Sequence, residues 1–273
     1  MSKLLKIGIV GCGAIGSYLA QTIINKFKKE AELSAIFDIQ NEKLSALVQR
    51  LGNKKLIALN LEDLILKSQL VIEATQASSS YEIAHRTVSF QRHIMVMSVG
   101  GILDKFFELK ELAEEKKVKL IIPSGAICGI DGLKAMVLDK IEKVIITTRK
   151  NPQAFKGNTY VLRRQINLDQ INEETLLFSG NASEAVRFFP QNINICATVA
   201  IVLGDPKKVE VRIIASPSVD KNIHELEIES DAGKIFTRCE NVVFPQNPKT
   251  SFLAVLSAIA CLKDFMENFK IGT

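Results

Sequence analysis

The first 122 residues alternate short apolar runs with stretches of helical spacing. Leu4–Val10 (LLKIGIV) predicts a buried strand. Ala14–Phe27 repeats its apolar residues at Ile15, Leu19, Ile23 and Ile24, the spacing of one helix face. Leu33–Phe37 predicts a second strand, closed by Asp38. Asn41 caps a helix through Arg50. Leu56–Leu59 is a weak third strand and Leu70–Ala74 a better fourth. After the polar stretch Thr75–Ser80 a helix runs to about Ser89. His93–Val99 is a fifth strand, Asp104–Lys117 a helix with a basic last turn, and Lys119–Ile122 a sixth strand. Strands alternating with helices predict a parallel, doubly wound α/β sheet over residues 1–122.

After Pro123 the rhythm changes. Cys128–Asp139 reads as a helix, Lys143–Arg149 as a β-branched strand, Thr175–Phe178 as a strand, and Ala182–Phe189 and Asn192–Leu203 as helices. Val209–Ala215, His224–Glu229 and Ile235–Val243 follow as antiparallel candidates, because short turn-rich segments join them. In His224–Glu229 the residues His224, Leu226 and Ile228 share one face. This predicts an α+β second domain over residues 123–247. Thr250–Phe269 is a long apolar-striped helix, placing residues 248–273 back on the first domain.

Gly11-Cys12-Gly13-Ala14-Ile15-Gly16 fits G-x-G-x-x-G, opens a predicted helix directly after a predicted strand, and is followed by an acid, Asp38, at the end of the next strand. That context points to a Rossmann dinucleotide-binding turn. Gly11 permits the tight turn, Gly13 lets the backbone approach a pyrophosphate, and Gly16 lets the helix close on the strand. Free N–H groups at the helix start meet the anion. Asp38 accepts from ribose hydroxyls and repels a 2′-phosphate, which favours NAD over NADP. Thr75 and the Ser98–Gly100 turn follow the fourth and fifth strands, where a parallel sheet places its ligand loops. Thr75, Ser98 and Gly100 are therefore candidates for the ribose and nicotinamide.

Composition narrows the chemistry. With 35 Lys+Arg against 30 Asp+Glu the formal charge is 35 − 30 = +5. The basic residues are dispersed and tryptophan is absent, which argues against a nucleic-acid surface. The five cysteines (Cys12, Cys128, Cys196, Cys239, Cys261) form no C-x-x-C pair and read as reduced, mostly buried thiols of a cytoplasmic protein; no metal site is expected. The N-terminus does not read as a signal peptide, and the longest apolar runs are too short to span a bilayer. Imidazole chemistry must choose among His85, His93 and His224. His85 and His93 sit in elements of the first domain, where packing explains them.

The second domain carries clusters that a simple strand–helix join does not need: PSGAICGIDGL from Pro123, FPQNINICAT from Phe188, Asn222-Ile223-His224, and NPKTS from Asn247. Together with GCGAIG, in this order and spacing, they make the whole chain resemble the L-aspartate dehydrogenase family. Cys128 and Cys196 stand where small apolar residues are expected. The resemblance implies NAD(P)-dependent oxidative deamination of L-aspartate to iminoaspartate, reversible with ammonia and feeding NAD biosynthesis, in a homodimer. It implies His224 as the catalytic residue, and cofactor contacts from Ala126 and from Asn192 or Asn194. The amides of Ser124, Gly125 and Ala126, with Lys249 and Thr250, are candidates for the substrate's carboxylates. The alternatives are another two-domain reductase of the dihydrodipicolinate-reductase or homoserine-dehydrogenase kind, or a non-enzymatic NAD-binding regulator.

Overall fold

The computed structural model describes residues 4–189 and 194–273; the side chains of Pro248 and Lys249 also lie outside the described set. The chain divides into two compact units. The first comprises residues 1–123 and 258–269, the second residues 124–257 and 270–273.

The first unit is built on a parallel sheet of five strands, β1 (Leu5–Val10), β2 (Ala31–Phe37), β3 (Leu70–Glu73), β4 (His93–Val96) and β5 (Leu120–Ile121), ordered β2-β1-β3-β4-β5. Its helices are α1 (Ala14–Lys26), α2 (Asn41–Leu51), α3 (Leu61–Lys67), α4 (Ala77–Ser89) and α5 (Phe106–Glu115). Ile7 and Ile9 of β1, Leu19 and Ile23 of α1, and Leu47 of α2 are fully buried in one apolar cluster. Ala258 and Leu262, from the helix at residues 252–266, belong to the same cluster.

Leu56–Leu59 does not form a strand. Lys54–Leu56 is a single 3-10 turn, capped where the Asn53 side chain accepts from the Lys55 N–H at 3.0 Å. Only Ile57 bridges to Ile36. Leu59 is 86% exposed, so the segment has too little to bury for a strand. The helix α3 was hidden by its shortness. Its signal was legible nonetheless: Asn60 accepts from the Asp63 N–H at 2.8 Å as the N-cap. The cap of α2 is Gln40, and Asn41 is its first helical residue.

The second unit holds a mixed sheet: β6 (Ile141–Lys150), β7 (Thr175–Asn181), β8 (Val209–Ala215), β9 (Asn222–Ser230) and β10 (Gly233–Asn241), ordered β10-β9-β6-β8-β7. Its helices include α6 (Ile130–Met136), α7 (Thr159–Arg163), α8 (Ala182–Phe188) and α9 (Asn194–Leu203). β9 and β10 pair antiparallel as expected. β8 does not pair with β9: β6 lies between them, parallel to β8 and antiparallel to β9. The turn residues after β8 suggested a hairpin. In fact β6 is the longest strand, and it takes the centre, buried by both neighbours. A short ladder of β11 (Val243–Phe244) and β12 (Asn247–Ser251) precedes α10 (Phe252–Met266). The apolar stripe expected from Thr250 therefore begins two residues later.

Candidate functional site

In the first unit the glycine turn is formed by three distinct constraints. Gly11 has φ +100°, and a Cβ there would stand 2.4 Å from the Ala74 carbonyl oxygen. A Cβ on Gly16 would stand 1.9 Å from the Gly11 oxygen. A Cβ on Gly13 would meet nothing within 4 Å. Gly11 and Gly16 are thus required by the fold, whereas Gly13 borders open space. Gly13 is also the N-cap of α1 and offers no side-chain cap, so the first-turn N–H groups need an acceptor from elsewhere. Space and donors together suit a phosphate.

Asp38 is tied to this turn. The Cys12 N–H donates to one carboxylate oxygen at 2.7 Å and the Gln40 N–H to the other at 2.8 Å. The Gly11 N–H donates to the Phe37 carbonyl at 2.8 Å. The Cys12 thiol is buried, and burial, reinforced by Asp38, pushes it up to about 12; it is an inert thiol and Cys12 serves through its backbone. Ala14 opens α1, and Ile15 packs against the apolar cluster.

Thr75, Ser98 and Gly100 are organised by a residue that motif reading passed over. Glu73 ends β3 and is fully buried. One carboxylate oxygen accepts from the Thr75 N–H at 2.7 Å and its hydroxyl at 2.6 Å. The other accepts from the N–H groups of Met97 at 3.1 Å and Ser98 at 2.9 Å. The Ser98 hydroxyl then donates to the Thr75 carbonyl at 2.8 Å. One carboxylate thereby fixes both loops at the strand ends. Thr75 also reaches the glycine turn: a Cβ on Gly11 would lie 3.1 Å from its methyl group. Gly100 is buried in the 3-10 turn Val99–Gly101. The signal for Glu73 was a lone acid at the end of an otherwise apolar strand.

The other two histidines of the chain lie in this unit. His93 Nδ1 accepts from the Lys119 N–H at 2.9 Å, and its ring meets Phe265 edge-on with centroids 5.3 Å apart. Burial, then Lys119, holds its pKa below the usual value. His85 lies on α4 against the Tyr81 ring.

In the second unit the functional candidates gather at one end of the β6–β9 face. Strand alternation puts Thr148 and Lys150 of β6 on the same side as Asn222 and His224 of β9, and all four are buried. Thr148 stands opposite His224, its hydroxyl 3.1 Å from Nδ1. Burial, then the charge of Lys150, pushes His224 down to about 3. The imidazole is therefore neutral at working pH. Lys150 is itself pushed down to about 8 by burial, and Cys196 on α9 is pushed up to about 12 by burial.

The glycine-rich segment is stitched to the same end. The Asn241 side chain donates to the Ala126 carbonyl at 3.0 Å, and Asn241 pairs with Asn222 across β10 and β9. Cys239, opposite His224, has its sulfur 3.1 Å from that of Cys128. Gly125 has φ +76°, and its Cβ position lies 3.2 Å from Ile195 on α9. Ser124 is half-buried beside it. Asn194 is the exposed first residue of α9. The Asn222 amide donates to the Ser251 hydroxyl at 3.1 Å. The neighbouring Thr250 hydroxyl lies within β12 and meets the Asn247 side chain at 3.1 Å. Asn192 lies outside the described residues, and so does the side chain of Lys249. Spacing in the sequence missed Thr148, Lys150 and Asn241, which only strand pairing brings to this end of the sheet, whereas Asn222 was already part of the Asn222-Ile223-His224 step. Two of the cysteines, Cys12 and Cys196, are buried; Cys128 is exposed and the remaining two intermediate, so the thiols are less buried than composition suggested.

Known proteins match both units. The profile of the family "Aspartate dehydrogenase, C-terminal" fits residues 131–265, and that of "Homoserine dehydrogenase, NAD binding domain" fits residues 11–123. L-aspartate dehydrogenase of Methanosarcina mazei is 40% identical, with 99% of this chain and all of the relative covered. That of Methanococcoides burtonii is 39% identical over the same shares. The chain belongs to the L-aspartate dehydrogenase family. It is thereby a nicotinamide-dependent oxidoreductase of a small-molecule substrate. The crystal structure of aspartate dehydrogenase from Thermotoga maritima is similar with a TM-score of 0.74 and 21% identity, covering 99% of this chain and 100% of that one. A homoserine dehydrogenase from Thiobacillus denitrificans follows at 0.63 and 13%, covering 97% and 73%. At these identities the likeness speaks for the fold alone. Among the described residues no helix is long and apolar enough to cross a membrane, and no group of His, Cys, Asp and Glu could hold a metal ion.

Proposed function

We propose that this chain catalyses the NAD-dependent oxidative deamination of L-aspartate to iminoaspartate, reversible in the presence of ammonia, as a step feeding NAD biosynthesis. The observation that carries this reading is His224: a neutral imidazole fixed through Nδ1 by Thr148, in a chain that also holds a dinucleotide turn. The names of the full-length relatives supply the substrate.

Gly11, Cys12, Gly13, Ala14, Ile15 and Gly16 hold the pyrophosphate, Asp38 the adenosine ribose, and Thr75, Ser98 and Gly100 the nicotinamide end, with Ala126 and Asn192 or Asn194 completing the cofactor contacts. When bound, the nicotinamide supplies the two-electron acceptor for oxidation of the amine-bearing carbon. His224 accepts the proton that the substrate ammonium must lose before that carbon can be oxidised, its low basicity being raised by the substrate carboxylates that bind beside it. In the tautomer whose Nδ1–H donates to the Thr148 hydroxyl, Nε2 is the nitrogen that takes it. In the reverse direction His224 returns the proton. Ser124, Gly125, Lys249 and Thr250 are proposed around the substrate carboxylates. NAD is preferred to NADP because the Asp38 carboxylate, held beside the glycine turn, would repel a 2′-phosphate. The working state we infer is a cytoplasmic homodimer.

The test is direct. Purified protein is mixed with NAD and L-aspartate, and absorbance of the reduced cofactor is followed; NADP and L-homoserine are run in parallel. The homoserine arm is included because the first-unit profile is named for homoserine dehydrogenase. Reduction of NAD with aspartate supports the proposal. Turnover with homoserine alone, or cofactor binding without turnover, refutes it.

A further inference from the structure

The segment from Ala126 to Gly132 lies along the face of β10 that also carries the neighbours of His224. Strand pairing puts Ile235, Thr237, Cys239 and Asn241 on the same face as their β9 partners Ile228, Leu226, His224 and Asn222. Each of these four β10 residues meets the segment. The Asn241 amide donates to the Ala126 carbonyl at 3.0 Å, and the Thr237 hydroxyl donates to the Cys128 carbonyl at 3.1 Å. A Cβ on Gly129 would stand 3.1 Å from the Thr237 methyl group, and one on Gly132 would stand 2.5 Å from Ile235. Between these contacts the sulfurs of Cys128 and Cys239 are 3.1 Å apart.

A disulfide sets its sulfurs about 2.05 Å apart, so closing this pair asks for about 1 Å of movement. The backbone on both sides is already held by the Asn241 and Thr237 hydrogen bonds, so little ordering remains to be done. The two thiols differ in access. Cys128 is exposed, so a reagent in solvent reaches it, whereas Cys239 is only partly exposed. Burial, then the contact with Cys128, pushes the Cys239 thiol up to about 11. Cys128 is therefore where an oxidant enters, and Cys239 is the second sulfur. Neither thiol has a part in the deamination chemistry.

We propose that Cys128 and Cys239 form a reversible dithiol–disulfide pair, closed by low-molecular-weight disulfides, that staples the Ala126 segment to β10. The Cys128 thiolate attacks one sulfur of the small disulfide, forming a mixed disulfide and expelling one small thiolate. Cys239 then loses its proton to solvent and attacks the Cys128 sulfur. The protein S–S bond forms as the second small thiolate leaves. Two electrons pass from the two protein thiols to the small disulfide, which departs as two thiols. The bond joins positions 111 apart in sequence, a restriction that falls mainly on the unfolded chain. Because the folded segment moves so little, the link holds the face of His224 as it stands and does not switch it off.

The test treats the full chain with oxidised glutathione at mildly alkaline pH, then with dithiothreitol. Peptide mapping without reductant should join the Cys128 and Cys239 peptides, and dithiothreitol should separate them. The melting temperature of the linked protein should rise by about 5 °C or more and return on reduction. Cys239→Ser should stop at glutathione held on Cys128, and Cys128→Ser should give no link between the two positions. Wild type that stops at the mixed disulfide, or whose two peptides are never joined, overturns the proposal without either variant. A linked protein that melts no higher than the reduced one overturns the staple. Turnover with L-aspartate should stay within a few-fold of the reduced protein, an arm that rests on the aspartate reading. Turnover lost on linking and regained with dithiothreitol overturns the staple in favour of a switch. A chain that links and melts higher, yet oxidises aspartate in neither state, sinks the aspartate reading and leaves the thiol pair standing.

Discussion

In the first unit the groups offered to a ligand are mostly backbone. The turn at residues 11–16 presents amides and empty space, and its two indispensable glycines are set by carbonyl oxygens that a Cβ would meet at 2.4 and 1.9 Å. In the second unit they are side chains. Thr148, Lys150, Asn222 and His224 come from two strands far apart in sequence and lie on one buried face. A backbone site depends on where glycine is, and glycine spacing is local. A side-chain site on a sheet depends on register, which is not local. The two regions therefore differ in what breaks them.

The largest expected effect lies in the second unit. His224→Ala removes the proposed proton acceptor and should lower kcat for aspartate oxidation by about 10²–10⁴. His224→Gln, which keeps a polar side chain beside Thr148, should fall with it while its melting curve stays close to wild type. Steady-state kinetics on both variants decides; wild-type turnover in either would remove His224 from the chemistry.

The first unit makes a sharper pair. Gly16→Ala drives a methyl group onto the Gly11 carbonyl and should destabilise the unit by about 3 kcal/mol, seen in denaturant melts. Gly13→Ala meets nothing in the protein, so stability should hold. What it fills is the space proposed for the pyrophosphate, and the KM for NAD should rise about tenfold or more. Equal NAD affinity with and without the Gly13 methyl would place the phosphate elsewhere.

That contrast also explains what sequence could and could not show. The parallel sheet, the turn and Asp38 were legible because apolar runs, glycine spacing and a strand-end acid all lie within forty or so residues. Glu73 was not, because its role is to tie Thr75 to Ser98 across two loops; a lone acid ending an apolar strand marks the residue but not its partners. Leu56–Leu59 misled because an apolar run without a second covering layer does not make a strand. β8 misled because turn residues suggest a hairpin but do not fix the neighbour. The face of His224 was legible from alternation alone, whereas its companions on β6 required the pairing Thr148↔His224.

Asp38→Ala tests a side chain held against the glycine turn of the first region. Its carboxylate is held by the Cys12 and Gln40 amides at the end of β2. Loss should weaken NAD several-fold and improve NADP relative to it, because the negative charge opposing a 2′-phosphate is gone. Parallel KM values for the two cofactors give the answer. An unaltered preference would assign discrimination to another residue.

The smallest effect concerns stability rather than rate. His224 has a folded-state pKa of about 3, below the 6.5 of the exposed ring. Between those values the unfolded chain binds a proton that the folded chain refuses. Stability is therefore fully present above pH 6.5 and is lost as the pH falls toward 3. From pH 6.5 to 5.5 this one group should cost about 1 kcal/mol. His93 has its pKa lowered by burial as well and adds in the same direction, so the slope of the wild type alone cannot be assigned. Denaturant melts of wild type and His224→Gln at both pH values isolate it: the gap between the two proteins should shift by that amount in favour of the variant on acidification. A gap that does not move with pH would mean that His224 takes up its proton in the folded protein, through solvent or an anion at its face. The side-chain site would then be as open to water as the backbone turn of the first unit.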